Sequence, residues 1–153
     1  MFAESARVIG FGAGALDVYR PIGQTGDDFT PGAKVGWTDQ DQFTLDALMH
    51  NPNIERHVGG NVVNALAWLA CRGNLGPDIS FASVVGVTDP STRAIQEHLK
   101  RIEIKDISIS DPEHLPSVSL IERDDIGSDR MVRGRPRTPL DTHMSEEYIA
   151  RSS

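Results

Sequence analysis

Cys71 is the chain's one cysteine, so no intramolecular disulfide can form and nothing in the thiol content points to an oxidising compartment. It sits inside an apolar run, where a core thiol is expected rather than a reactive one. Long hydrophobic runs are missing too: no stretch approaches the ~18 apolar residues of a membrane-spanning helix. The apolar stretch from Val8 to Leu16 is short and is preceded by Glu4 and by Arg7 as its only basic residue, a poor secretory signal. A cytoplasmic protein is the expectation. Positive charge is in deficit, with 15 Lys and Arg against 22 Asp and Glu, a net charge of −7. Such a chain repels phosphate backbones and anionic lipid, so neither nucleic acid nor a membrane surface is the expected partner. The histidines, His50, His57, His98, His114 and His143, show no ligand spacing with Cys71 or with each other, and no zinc site is expected. Internal repeats and low-complexity segments are absent.

What is present reads as one globular domain: 153 residues, 39% hydrophobic and 24% charged, are enough for a core but short for a two-domain enzyme. "RVIGFGAGALDVY" opens as a short buried strand, Val8 to Phe11, that breaks into small residues and then reaches Asp17. The Gly, Pro, Asp and Thr of "PIGQTGDDFTPGAKVGWTDQD" predict loop and an edge hairpin, while "FTLDALMHNPN" fits a short helix or an irregular strand equally well. A helix is predicted from about Asn61 to Arg72; it is apolar nearly all round, as a buried helix is, with Gly73 as a left-handed C-cap. "DISFASVVGV" is strand-like. In "TDPSTRAIQEHLKRI", Asp89 suits an N-cap and Pro90 the first helical position, with Ile95, Leu99 and Ile102 on one face. "IKDISIS" is the next strand, and this alternation is the signature of a parallel α/β sheet. "PSVSLIERDDIGSDRMVRG" then predicts an antiparallel hairpin, and "TPLDTHMSEEYIARSS" the start of another helix from about Met144, where an α/β protein would need a further strand.

Four groups of residues carry candidate chemistry. "GFGAGA", Gly10 to Ala15, satisfies a dinucleotide-binding spacing, but the following "LDVYRPIGQTG" leaves no room for the helix that must hold the pyrophosphate. Asp17 stands at a strand end, where open α/β sheets bind ligands; its carboxylate either accepts paired ligand hydroxyls, as a sugar offers, or caps a loop. In "VGGNVVN", Gly59 and Gly60 let a ligand approach the backbone beside a helix N-terminus, and Asn61 and Asn64 lie near each other on its first turn. An amide supplies donor and acceptor together, as a polyol requires; the alternative is a plain glycine turn with an N-cap. Arg130, Arg133, Arg135 and Arg137 form a basic cluster that either grips a phosphate, with Arg133 and Arg135 as the candidate contacts, or makes a solvated face.

Together these pieces resemble the first half of a ribokinase-like carbohydrate kinase of the PfkB type. The resemblance rests on "VIGFGAGALD" ending in Asp17, on "GGNVVN" before "ALAWLACRGN", on "FASVVGVTD" before a helix, and on "PSVSLIERDDIGSDRMV", which is similar to the family's Thr-Gly-x-Ala strand and glycine-turn hairpin. It runs from about residue 7 to the end and implies a Rossmann-like parallel sheet with helices plus a small antiparallel β lid, with lid segments at about 18–58 and 116–134. It further implies that Asp17 binds substrate hydroxyls and that Gly59, Gly60 and Asn64 line the same pocket, with Asn61 where some members place another polar contact. ATP and Mg2+ are implied as cofactors, and a sugar or nucleoside as substrate. The family's catalytic base lies in a Gly-Ala-Gly-Asp segment of its second half; the chain's "GAGA", Gly12 to Ala15, has Ala15 in place of the base and lies at the first strand. Loss of base and anion hole is nearly fatal to phosphoryl transfer, so the chain alone is expected to be inactive. "TDPST" replaces the family's Asp-x-Phe-Gly, and the stretch from Gly26 to Arg56 is long for a lid, which weakens any assignment of the sugar. The expectation is a substrate-binding half completed by a second half or partner polypeptide, or dimerising through its lid; the alternatives are a non-catalytic carbohydrate-binding module and an inactive remnant.

Overall fold

The computed structural model describes residues 7–21, 30–72, 78–123 and 130–138, with only the backbone at Pro21 and Arg130. In chain order the elements are β1 (Arg7–Phe11), β2 (Ala15–Pro21), β3 (Lys34–Gly36), α1 (Asp39–Met49), β4 (Arg56–Gly59), α2 (Asn61–Cys71), β5 (Asp78–Ala82), β6 (Val84–Val85), α3 (Pro90–Arg101), β7 (Lys105–Asp106), β8 (Ile109–Ser110), β9 (Ser117–Arg123) and β10 (Arg130–Arg135). They make a mixed α/β fold with a parallel sheet, as the alternation of patterns predicts.

The parallel sheet has the order β1-β5-β7, continued by the parallel pair β6-β8. The apolar run "DISFASVVGV" is two strands, because the Ser83 N–H leaves the ladder and donates to Ser108 Oγ at 3.1 Å. "IKDISIS" breaks opposite it, where Asp106 Oδ1 accepts from Ser108 N at 3.0 Å in a local turn. The helices α2 and α3 close this sheet into one core of Val63, Leu66, Ile79, Phe81, Ile95, Leu99 and Ile104. The start of α3 is as the sequence dictates: Asp89 Oδ1 accepts from Ser91 N at 2.7 Å, and Pro90 opens the helix.

A second sheet has the order β3-β10-β9-β2-β4. It is larger than a small antiparallel lid and it is mixed: β9/β10 and β2/β4 run antiparallel, β2/β9 and β3/β10 parallel. β3 thus joins β10 across the chain instead of forming a local hairpin. One face of this sheet is apolar, with Leu16, Val18, Val118 and Leu120 packed under Leu45 and Leu48 of α1. The ambiguity of "FTLDALMHNPN" is resolved by a capping box upstream of it: Thr38 N donates to Asp41 Oδ2 at 2.8 Å, and Thr38 Oγ1 accepts from Asp41 N at 3.3 Å. That reciprocal pair starts a helix, and Leu45 and Leu48 then meet the sheet.

Several expectations change. The α2 segment is a helix over the predicted range, yet only Val63 and Leu66 are buried; Trp68 is 56% exposed and Cys71 is exposed, so the helix has one covered face and Cys71 is no core thiol. β1 is half-buried, and Phe11 is exposed. Asp17 is the third residue of β2, a separate strand, and does not end the first one. Gly73, the 124–127 turn and the helix from Met144 lie outside the described residues. No helix among the described residues is long and apolar enough to cross a membrane.

Candidate functional site

Strand alternation divides the mixed sheet's two faces by chemistry. Leu16 and Val18 pair with Val118 and Leu120 on the face that α1 covers. Ala15 and Asp17 turn to the opposite face, in register with Ser117 and Ser119 of β9 and with Gly59 and His57 of β4. The Asp17 carboxylate is half-buried and has no hydrogen-bond or ion-pair partner among the described residues.

The glycine pair plays two different parts. Gly60 has φ +98°, and a Cβ there would lie 2.6 Å from the Ala13 carbonyl oxygen, so both the backbone angle and the close approach to the β1–β2 turn require glycine. This contact sets the start of α2 beside the head of β2. Gly59 meets no such demand: a Cβ would touch only the Asn64 amide atoms, at 3.9 Å. Asn64 donates its backbone N–H to Gly60 O at 2.9 Å, and its exposed side chain lies over Gly59. Asn61 is the first residue of α2, also exposed, and is not the cap; Gly60 is, and makes no side-chain cap bond, so no cap side chain fills the first-turn N–H groups. The structure therefore places Gly59, Gly60 and Asn64 at one junction of β2, β4 and α2, with Asn61 in the first turn of α2 and Asp17 two residues along β2 from Ala15, the register partner of Gly59.

The same face continues into a group that the sequence did not signal. Tyr19 meets His57 edge-on, with ring centroids 5.3 Å apart, and carries the Arg123 guanidinium 4.2 Å from its ring centroid. Glu55 bonds His57 Nε2 at 2.9 Å and pairs with Arg123. The His57 hydrogen bond, and after it Arg123, hold the Glu55 carboxyl below its usual range. The pairings of β2 with β4 and with β9 assemble these residues, and no local motif records them.

The basic cluster is divided by its strand. Arg135 is buried: its Nη2 donates to Asp89 Oδ2 at 2.7 Å and to Ser91 Oγ and Pro116 O at 3.2 Å, and its Nη1 to Gln42 Oε1 at 3.0 Å. Arg133 Nε lies 3.7 Å from Asp41 Oδ1. Both are in register with core residues, Val118 and Leu120, on the sheet face opposite Asp17. The "GFGAGA" segment turns from β1 into β2 rather than into a helix, so it is no dinucleotide fingerprint. Among the described residues no cluster of three His, Cys, Asp or Glu side chains is placed to hold a metal ion.

This arrangement of a parallel sheet, α-helices and a mixed sheet is a fold shared with ribokinase and adenosine kinases. Solved structures give the likeness its particulars. The adenosine kinase of Trypanosoma brucei brucei superposes with a TM-score of 0.69 at 14% identity, over 97% of this chain and 47% of that one. The adenosine kinase of Anopheles gambiae, in complex with P1,P4-di(adenosine-5) tetraphosphate, gives 0.67 at 13% identity over 98% and 45%. The ribokinase of Giardia lamblia gives 0.60 at 14% identity over 96% and 38%. At such identities the likeness is one of fold, and the chain spans less than half the length of each of these kinases. No protein-family model matches the sequence. No curated protein matches it either.

Proposed function

We propose that this chain forms the substrate-holding part of a sugar or nucleoside kinase. In this reading the phosphoryl-transfer groups come from residues outside the described site. The observation that carries it is the Asp17 carboxylate, without a partner among the described residues and in register with Ser119 and His57 on the sheet face opposite α1, two residues along β2 from the register partner of Gly59. A carboxylate there accepts two hydroxyl hydrogen bonds from neighbouring carbons of a polyol. The Asn64 amide offers one donor and one acceptor to a third oxygen, and Gly59 leaves room for the ring. The kinase fold supports the reading, since sugar and nucleoside kinases share this architecture.

ATP with Mg2+ would supply the transferred phosphoryl group in such an enzyme. The described residues do not fit that pair, because Arg135 is engaged inside the fold and no carboxylate cluster is formed. No step of transfer is therefore assigned to these residues; their part is to bind and orient hydroxyls. Calorimetric titration of the chain with ribose and with adenosine tests this. Binding of either one that is lost in Asp17→Asn, while the melting temperature is unchanged, supports the site. Absence of binding, or equal binding by the variant, overturns it.

A further inference from the structure

On the face of the mixed sheet opposite Asp17, the end of α1, β4 and the first turns of α3 enclose an open cleft of about 310 Å³. Its polar lining is His50, Arg56, Thr88, Arg93 and Glu97. The volume is at the lower end for small-molecule sites, which run from roughly 300 Å³ upward. Arg56 is in register with Val18, whereas its neighbour His57 is in register with Asp17, so this cleft and the Asp17 junction lie on opposite faces.

The charges in the cleft are unspent. Arg20, Arg123, Arg133 and Arg135 each have a carboxylate beside them. Among the described residues Arg56 has only the Asn51 carbonyl oxygen, at 3.2 Å, and Arg93 has no hydrogen-bond or ion-pair partner. Glu97 stands four residues after Arg93 on α3, the spacing at which helical ion pairs form, and the two are not paired. His50 donates Nδ1–H to the Asp46 carbonyl oxygen at 2.6 Å, which leaves Nε2 uncommitted. Two guanidinium groups from different elements therefore face one space in a chain of net charge −7, with a carboxylate and a hydroxyl beside them.

We propose that this cleft binds a small phosphorylated hydroxy compound. Arg56 and Arg93 hold the phosphate, each guanidinium presenting a planar fork to its oxygens. Glu97 repels a bare dianion but accepts hydroxyl protons, as does Thr88, so the ligand must carry hydroxyl groups a short distance from its phosphate. The inference stands independently of the Asp17 site.

Calorimetric titration of the chain with ribose 5-phosphate, inorganic phosphate and ribose separates the sources of this chemistry. The expected result is that ribose 5-phosphate binds more tightly than inorganic phosphate, and that inorganic phosphate competes with it. Arg93→Gln, at an exposed position that leaves the fold intact, should weaken binding at least about tenfold, the loss of one charge-assisted contact. Glu97→Gln should narrow the preference over inorganic phosphate. The proposal is overturned if neither phosphate compound binds, or if Arg93→Gln binds as wild type does with an unchanged melting temperature.

Discussion

Arg135 Nη2 donates to Asp89 Oδ2 at 2.7 Å, and the other carboxylate oxygen of Asp89 accepts from Ser91 N at the head of α3. One buried ion pair thus joins the last strand of the mixed sheet to the helix that packs on the parallel sheet. Arg135→Ala would leave Asp89 buried without its counter-charge, which costs about 3–5 kcal/mol. The expected outcome is a urea midpoint lowered by more than any surface arginine variant produces. Substituting Asp89→Asn in the Arg135→Ala background should recover part of the loss, because the orphaned charge is then gone. A midpoint for Arg135→Ala equal to that of Arg137→Ala, an exposed position, would refute the pinning role.

The adjacent glycines separate structure from function. Gly60→Ala meets both a φ of +98° and the Ala13 carbonyl, so it should lose stability by at least the ~1–3 kcal/mol of left-handed strain. Gly59→Ala has room and should fold normally, its new methyl group resting on the Asn64 amide. If the proposed site is right, Gly59→Ala keeps its melting temperature and loses affinity for ribose or adenosine, while Gly60→Ala melts early. Equal effects of the two on stability would contradict this division.

Much of this fold is written in local signals. The Asp89–Pro90 start of α3, the range of α2 and the β9/β10 pairing follow from capping chemistry and patterning, and all three are found. The site is legible in part: Gly59 lies beside the Asn64 amide, and β4 sets both next to the strand that carries Asp17. That placement depends on the pairing of β2 with β4 and on the contact of Gly60 with Ala13, which no spacing along the chain specifies. Arg135 shows the opposite limit. A run of alternating arginines looks the same whether solvated or buried, and only the distant partners Gln42, Asp89 and Pro116 decide. The apolar look of α2 misleads because composition counts residues and not which face is covered; Trp68, Cys71 and Asn64 are exposed, with no element over them among the described residues.

Buried His114 gives the fold a pH dependence. Burial, first, pushes its pKa below the usual 6.5, with the Asp111 charge pulling the other way; His98 is lowered too, by burial and then by Arg101. Between the lowered folded value and 6.5 the unfolded chain binds more protons than the folded one, so stability falls as pH drops below 6.5 and levels off beneath the folded value. Denaturant midpoints taken at roughly pH 7.5 and 5.5, either side of histidine's ordinary value, read this directly. His114→Asn should show a shallower fall than wild type over that interval. A slope as steep in the variant, or a wild-type midpoint that rises on acidification, would rule out His114 as the source.

Leu16 and Asp17 are neighbours in β2 whose substitutions should act on different quantities. Leu16 is fully buried under α1, so Leu16→Ala should cost about 2–5 kcal/mol of stability through lost burial and the cavity left behind. Asp17 has no partner to lose among the described residues, so Asp17→Asn should stay within roughly 0.5 kcal/mol of wild type. Its effect falls on binding: hydrogen bonds to a charged group contribute about 1.5–3 kcal/mol, which corresponds to affinity for a hydroxyl ligand weaker by roughly ten- to a hundredfold. Paired thermal melts and titrations on both variants decide the matter. If Asp17→Asn destabilises as much as Leu16→Ala, the carboxylate serves the fold; if it changes binding alone, the open face of the mixed sheet is where the substrate sits.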